Sequence, residues 1–161
     1  MMNAVIEGDA SLLNSKDWNC RTVPARILLV DDFGPFRELA ALLLENRAGY
    51  KIVAEAADGR DGIQKAKEFK PDLVVLDMDL PFFNGIEVAR QIRCFCPDST
   101  ILFVTGNDNL EVAREALRAG AHGYVHKFDT VVDLVQAAKA VLSGKRYISR
   151  RLKNQGVSED I

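Results

Sequence analysis

The sequence predicts an α/β domain in which a single parallel sheet is covered by helices on both faces. Two observations lead there. Short apolar runs alternate five times with longer stretches of helical spacing, and the runs lack the polar alternation of a half-wet strand. Turn and cap residues separate the two kinds of segment, so the order reads as (βα) repeated five times with right-handed crossovers.

Residues 1–25 are polar, with few apolar positions, and read as a flexible leader. The first strand is residues 26–30. Its helix places Phe36, Leu39, Ala40 and Leu43 on one face, which Leu42 and Leu44 widen into a broad core face, and Gly49 stops it. Residues 52–54 form the second strand, and Asp58 and Asp61, beside Gly59 and Gly62, read as turn residues before the second helix. Residues 72–76 are the third strand, followed by a helix start at Asn84 with Glu87 three positions on. The fourth strand is residues 101–104, with Asp108 and Glu111 as the next cap pair and Gly120 as the stop. The fifth is residues 123–125. Thr130 and Asp133 then open a helix whose apolar face is Val131, Leu134, Val135, Ala138, Val141 and Leu142, ending at Gly144. Beyond it the chain turns basic and polar.

Composition narrows the function. A chain of 161 residues with a formal charge of −2 is poorly suited to grip a phosphate backbone by itself. No apolar run approaches a membrane span, and the N-terminus has no apolar stretch of secretory length, so a cytoplasmic protein is expected. Cys20, Cys94 and Cys96 are too few and too oddly spaced for a disulfide scaffold or a metal knot. Reduced, partly buried thiols are the expectation.

In an open parallel sheet, functional side chains collect beyond the carboxyl ends of the strands. The first strand ends in Asp31 and Asp32, the third in Asp77 and then Asp79, the fourth in Thr105 and the fifth in Lys127. Carboxylates gathered at one edge repel unless a cation joins them, and an oxygen-only cluster suits Mg2+. An ammonium and a hydroxyl could then meet phosphoryl oxygens. With no Ser, Cys or His nucleophile at the edge, the attacking group should be a carboxylate, and Asp77, after the most apolar strand, is the candidate.

These segments resemble bacterial response-regulator receiver domains of the CheY-like superfamily. Residues 71–85 (PDLVVLDMDLPFFNG) look like that family's phosphoacceptor segment, residues 30–32 like its acidic pair, and residues 104–106 like its switch threonine. Residues 123–127 (GYVHK) are similar to its aromatic and lysine positions. The resemblance implies a doubly wound, flavodoxin-like sandwich with strand order 2-1-3-4-5, and Mg2+-dependent transfer of a phosphoryl group from a histidine kinase to Asp77. By the same resemblance Asp32 and Asp77 ligate the metal with the Asp79 backbone carbonyl, Asp31 assists through water, and Thr105, Tyr124 and Lys127 sense the phosphoryl group. Tyr124 would turn inward on phosphorylation and change the face made by the fourth helix, fifth strand and fifth helix.

It further implies a regulatory phosphoacceptor rather than an enzyme, partnered by a sensor histidine kinase or phosphotransfer protein, with homodimerisation as one outcome of phosphorylation. Neither nucleic acid nor membrane is an expected partner of this domain. Residues 26–145 would be the receiver. Residues 137–149 look like the junction of NarL/FixJ-type regulators, making 146–161 a tail or the start of a linker. Two departures stand out: Phe128 follows the lysine where the family often has proline, and Asp79 puts a carboxylate two residues past the phosphoacceptor.

A rival reading takes Asp77-Met78-Asp79 as the D-x-D of a haloacid-dehalogenase-type phosphohydrolase, with Asp79 protonating the leaving group. Pro81 and the upstream position of Asp31-Asp32 fit it poorly. No G-x-G-x-x-G or Walker A sequence supports nucleotide binding. His122 and His126 flank the fifth strand with no evident acid partner and read as structural.

Overall fold

The computed structural model describes residues 23–158; most of the expected leader, and Cys20 with it, lies outside them. The order is β1 (Arg26–Val30), α1 (Gly34–Ala48), β2 (Lys51–Ala56), α2 (Gly59–Phe69), β3 (Leu73–Leu76) and α3 (Gly85–Phe95). Then follow β4 (Thr100–Thr105), α4 (Leu110–Arg118), β5 (Gly123–His126), a 3-10 turn at Lys127–Asp129, α5 (Thr130–Leu142), β6 (Tyr147–Ile148) and α6 (Arg150–Lys153). The sheet runs β2-β1-β3-β4-β5-β6 with every neighbouring pair parallel.

The expected order 2-1-3-4-5 is therefore present, and a sixth strand extends it. Tyr147 and Ile148, read from the sequence as tail or linker, pair along the free edge of β5. The Tyr147 amide donates to His122 O at 3.2 Å and the Ser149 amide to Tyr124 O at 3.0 Å, satisfying backbone groups an open edge would leave to water. Ile148, Leu152 and Val157 are buried, so this segment belongs to the core. Two residues are too few to show strand periodicity, which is why the sequence hid it.

Strand side chains alternate between two cores. Leu28, Val30, Val74, Leu76, Ile101, Phe103 and Tyr124 meet α2, α3 and α4, whereas Ile27, Leu29, Leu73, Val75, Leu102, Val104 and Val125 meet α1 and α5. Both faces are dry along β3, β4 and β5, as the continuous apolar runs require, whereas the edge strand β2 is only half-buried.

Helix ends follow local chemistry, with two corrections. Asn84 caps α3 by accepting the Ile86 amide, and Asp58 caps α2 by accepting that of Asp61. The cap of α4 is Asn109 rather than Asp108; its side chain accepts from the Glu111 and Val112 amides. Asp129, not Thr130, precedes α5, without a side-chain cap bond, and the Thr130 hydroxyl donates to Lys127 O at 2.6 Å. Of the residues expected to widen the α1 core face, Leu44 is buried but Leu42 is exposed. Cys96 is buried and Cys94 exposed.

The chain leaves β1 and β3, which are neighbours, in opposite directions, and a crevice opens beyond their carboxyl ends. Val30 pairs with Leu76, so Asp31 and Asp77 stand side by side, one residue past the ladder.

Candidate phosphoacceptor site

Three carboxylates converge at that crevice. Asp31, Asp32 and Asp77 each offer an oxygen within 4.8 Å of the others. Asp31 and Asp77 are buried while Asp32 is exposed, so the cluster has a dry floor and a wet mouth. The loop geometry is held by the carboxylates themselves. Asp31 Oδ1 accepts the Phe33 amide at 2.8 Å, and Asp77 Oδ1 accepts the Asp79 amide at 3.1 Å. The Arg37 guanidinium donates to Asp31 O, tying the first turn of α1 to the end of β1.

Lys127, first residue of the turn after β5, closes the cluster. Its Nζ lies 2.7 Å from Asp31 Oδ2 and 3.2 Å from Asp77 Oδ2, with the Phe36 ring 4.7 Å beneath. Burial alone would lower the lysine pKa, but the carboxylates of Asp31 and Asp77 outweigh it and hold the ammonium charged. For Asp77 the balance runs the other way. Burial, then the Asp31 charge, push its carboxyl above the usual aspartate value, against the opposing pull of the Asp79 amide and Lys127.

One ammonium against three carboxylates leaves the group short of positive charge. An oxygen-only donor set, one member of it open to water, fits a hard divalent ion such as magnesium. Asp31 Oδ2, buried and without a directed hydrogen bond although beside Lys127, is a further acceptor with spare capacity.

Thr105, at the end of β4, is fully buried. Its hydroxyl donates to Asp79 Oδ2 at 3.4 Å and accepts the Asn107 amide at 3.2 Å. Tyr124, which the family resemblance has turning inward on phosphorylation, lies inward in this structure. It is already buried, 6.3 Å from Phe103 ring to ring, and donates to Asn107 O at 3.4 Å. Burial and the carboxylates of Asp79, Asp77 and Asp108 raise its pKa, so the phenol stays a donor.

The expected residues Asp31, Asp32, Asp77, Thr105 and Lys127 thus gather at one sheet edge, with Tyr124 behind Thr105. Asp79 stands exposed above them, its amide on Asp77 and its carboxylate facing Thr105. Sequence reasoning missed the partner of His126. This ring is buried, and its Nε2 lies 2.8 Å from Asp108 Oδ1, so the expected lack of an acid partner does not hold. Strand alternation puts His126 on the same face as buried Tyr124, which signals its burial but not its acid partner. Phe82, in the β3–α3 loop, is 97% exposed at φ 69°, a left-handed position that costs a phenylalanine strain.

Comparison with known proteins agrees with this fold. Residues 27–139 match the response regulator receiver domain. A Pseudomonas aeruginosa protein described as a putative transcriptional regulator is 38% identical over 74% of this chain and 58% of its own length. The response regulator GacA of Pseudomonas viridiflava is 34% identical over 81% of this chain and 61% of its own length. The chain therefore spans about three fifths of these relatives. Among solved structures, a LuxR-family two-component response regulator from Aurantimonas sp. SI85-9A1 superposes with a TM-score of 0.78 at 42% identity. That match covers 81% of this chain and 94% of the other. The receiver domain of the putative regulator NarL from Mycobacterium tuberculosis gives 0.72 at 28%, covering 76% and 99%. With a receiver-domain match across residues 27–139 and relatives more than 30% identical over most of its length, the chain belongs to the response regulator receiver domain family.

Proposed function

We propose that Asp77 accepts a phosphoryl group from a phosphohistidine on a sensor kinase or phosphotransfer protein. The observation that carries this reading is the Lys127 ammonium, held within 3.2 Å of Asp77 and 2.7 Å of Asp31 at the mouth of a three-carboxylate crevice. A carboxylate oxygen of Asp77 attacks phosphorus, the phosphorus–nitrogen bond breaks, and the departing imidazole keeps its electron pair and takes a proton from water. Asp32 and Asp77, with the Asp79 backbone carbonyl, would hold Mg2+, with Asp31 assisting through water; when bound, the ion supplies counter-charge for the phosphoryl oxygens.

Lys127 then turns from the two carboxylates toward a phosphoryl oxygen, and the Thr105 hydroxyl leaves Asp79 for another. Because Tyr124 is already inward, the phosphoryl group holds this packing in place rather than creating it, a shift of population between two states. The response reaches α4, β5 and α5, with β6 and α6 covering the outer edge of β5. A partner or a second copy would meet that composite face. The receiver unit begins at residue 26 and takes residues 146–157 as its packed extension. In the whole protein we place a DNA-binding effector after it, as the transcriptional regulators among its relatives suggest, with DNA contact left to that effector. A cytoplasmic setting suits a histidine-kinase partner, and no helix among the described residues is long and apolar enough to cross a membrane. The chain acts as a phosphoacceptor, catalysing only its own phosphorylation and dephosphorylation.

Intact mass spectrometry after incubation with acetyl phosphate and magnesium tests this. The wild type should gain one phosphoryl mass and Asp77→Asn none. Equal incorporation in both, or in neither, refutes the assignment.

A further inference from the structure

We propose that His126 is a positioning residue for the phosphoacceptor site, fastening the loop that follows Thr105 to the segment that carries Lys127. The inference rests on Asp77 as the phosphoacceptor. Thr105 and His126 are the last paired residues of β4 and β5, so the loop after one and the turn after the other leave the sheet together. The His126 ring is 1% exposed. Its Nδ1 accepts the Phe128 amide at 3.2 Å, which puts the proton of the neutral ring on Nε2.

That nitrogen is buried and has no directed hydrogen bond; what faces it, 2.8 Å away, is Asp108 Oδ1. Asp108 is 70% exposed and does not cap α4, since Asn109 does. Its carboxylate is therefore available to answer the imidazole. Two residues back on the same face of β5, the Tyr124 hydroxyl donates to Asn107 O. The strand thus grips two successive residues of the β4–α4 loop, Asn107 and Asp108.

On the other side, the hold on the Phe128 amide sets the turn at Lys127–Asp129, and Phe128 stacks on the His126 ring at 5.1 Å and 25°. A bound phosphoryl group needs the Thr105 hydroxyl and the Lys127 ammonium at once. If their two segments moved independently, each would lose its freedom during the reaction; fastened through His126, most of that ordering is complete in the folded chain. A histidine that only filled space would leave this coupling unaffected.

The test uses the full chain with acetyl phosphate and magnesium chloride, following Asp77 phosphorylation by intact mass. Asp108→Ala removes the exposed end of the link without disturbing the core. His126→Asn keeps an acceptor for the Phe128 amide and removes the nitrogen that faces Asp108. Each should slow phosphorylation at saturating acetyl phosphate by about threefold to tenfold, with the half-saturating concentration unchanged. Asp108→Asn, which keeps an acceptor oxygen, should recover most of the rate. The double variant should be no slower than either single one, because both break one link. Rates for Asp108→Ala within twofold of wild type, or losses that multiply in the double variant, overturn the role of His126. A wild type that takes up no phosphate overturns the reading of Asp77, and this inference with it.

Discussion

Gly85, the first residue of α3, lies directly under the phosphoacceptor loop, and Gly85→Ala tests how tightly that loop is built. The Gly85 amide donates to Met78 O at 2.9 Å, folding the β3–α3 connection back on itself. A Cβ at this position would stand 2.5 Å from Asp77 O, 2.7 Å from Met78 Cα and 3.0 Å from Met78 O. All three neighbours are backbone, so no rotamer change can make room. Reaching even a close 3.4 Å contact requires the two segments to part by roughly 0.9 Å. Overpacking of this kind costs about 1–3 kcal/mol. Weakening the Gly85–Met78 bond adds about 1 kcal/mol, and the better helix propensity of alanine returns up to about 1 kcal/mol.

The net loss of about 1–3 kcal/mol should lower the melting temperature by roughly 3–12 °C for a domain of this size. Since the displaced atoms include the carbonyl of Asp77 itself, magnesium affinity measured by calorimetric titration should fall as well. Gly106→Ala is the matched control. It lies one residue after Thr105, yet a Cβ there meets nothing within 4 Å. Thermal melts by circular dichroism decide the matter. If Gly85→Ala melts within about 1 °C of wild type, or Gly106→Ala loses as much, the argument from close backbone approach is wrong.

Other outcomes follow from the same structure. Burial and the Asp31 charge raise the folded-state pKa of Asp77, so its ionised form destabilises the fold above that pKa, a cost relieved as pH falls through it. Without divalent cation, Asp77→Asn should therefore melt above wild type at pH 7, and its lead should shrink toward about pH 4, the ordinary aspartate value; a lead that grows on acidification contradicts this. Leu152, on α6, is 1% exposed within the core shared by α2, α3 and α4. Leu152→Ala should cost about 2–5 kcal/mol in urea unfolding, as a core residue would, whereas a loose tail would lose almost nothing.

Much of this protein was legible in its sequence because the signals are local. Continuous apolar runs identify doubly covered strands, since each side chain of Leu73-Val74-Val75-Leu76 must be buried whichever face it meets. The polar residue that ends each run then has to lie at the carboxyl edge. Asp31, Asp77, Thr105 and Lys127 could be brought to one place from spacing alone. What the sequence left undetermined depends on contacts between segments far apart in the chain. The two residues of β6 carry no period, and only the unpaired edge of β5, present once the sheet exists, makes them a strand. Asp108 satisfies every local rule for a helix cap, but Asn109 takes that role, and the side chain of Asp108 turns to a histidine eighteen residues later. Tyr124 could be assigned to its strand but not to a rotamer, because the space it fills is bounded by Phe103 and by Asn107 O on the neighbouring strand and loop. Periodicity and capping act within a few residues; edge pairing, buried polar partners and rotamers are decided by which distant surfaces packing brings together.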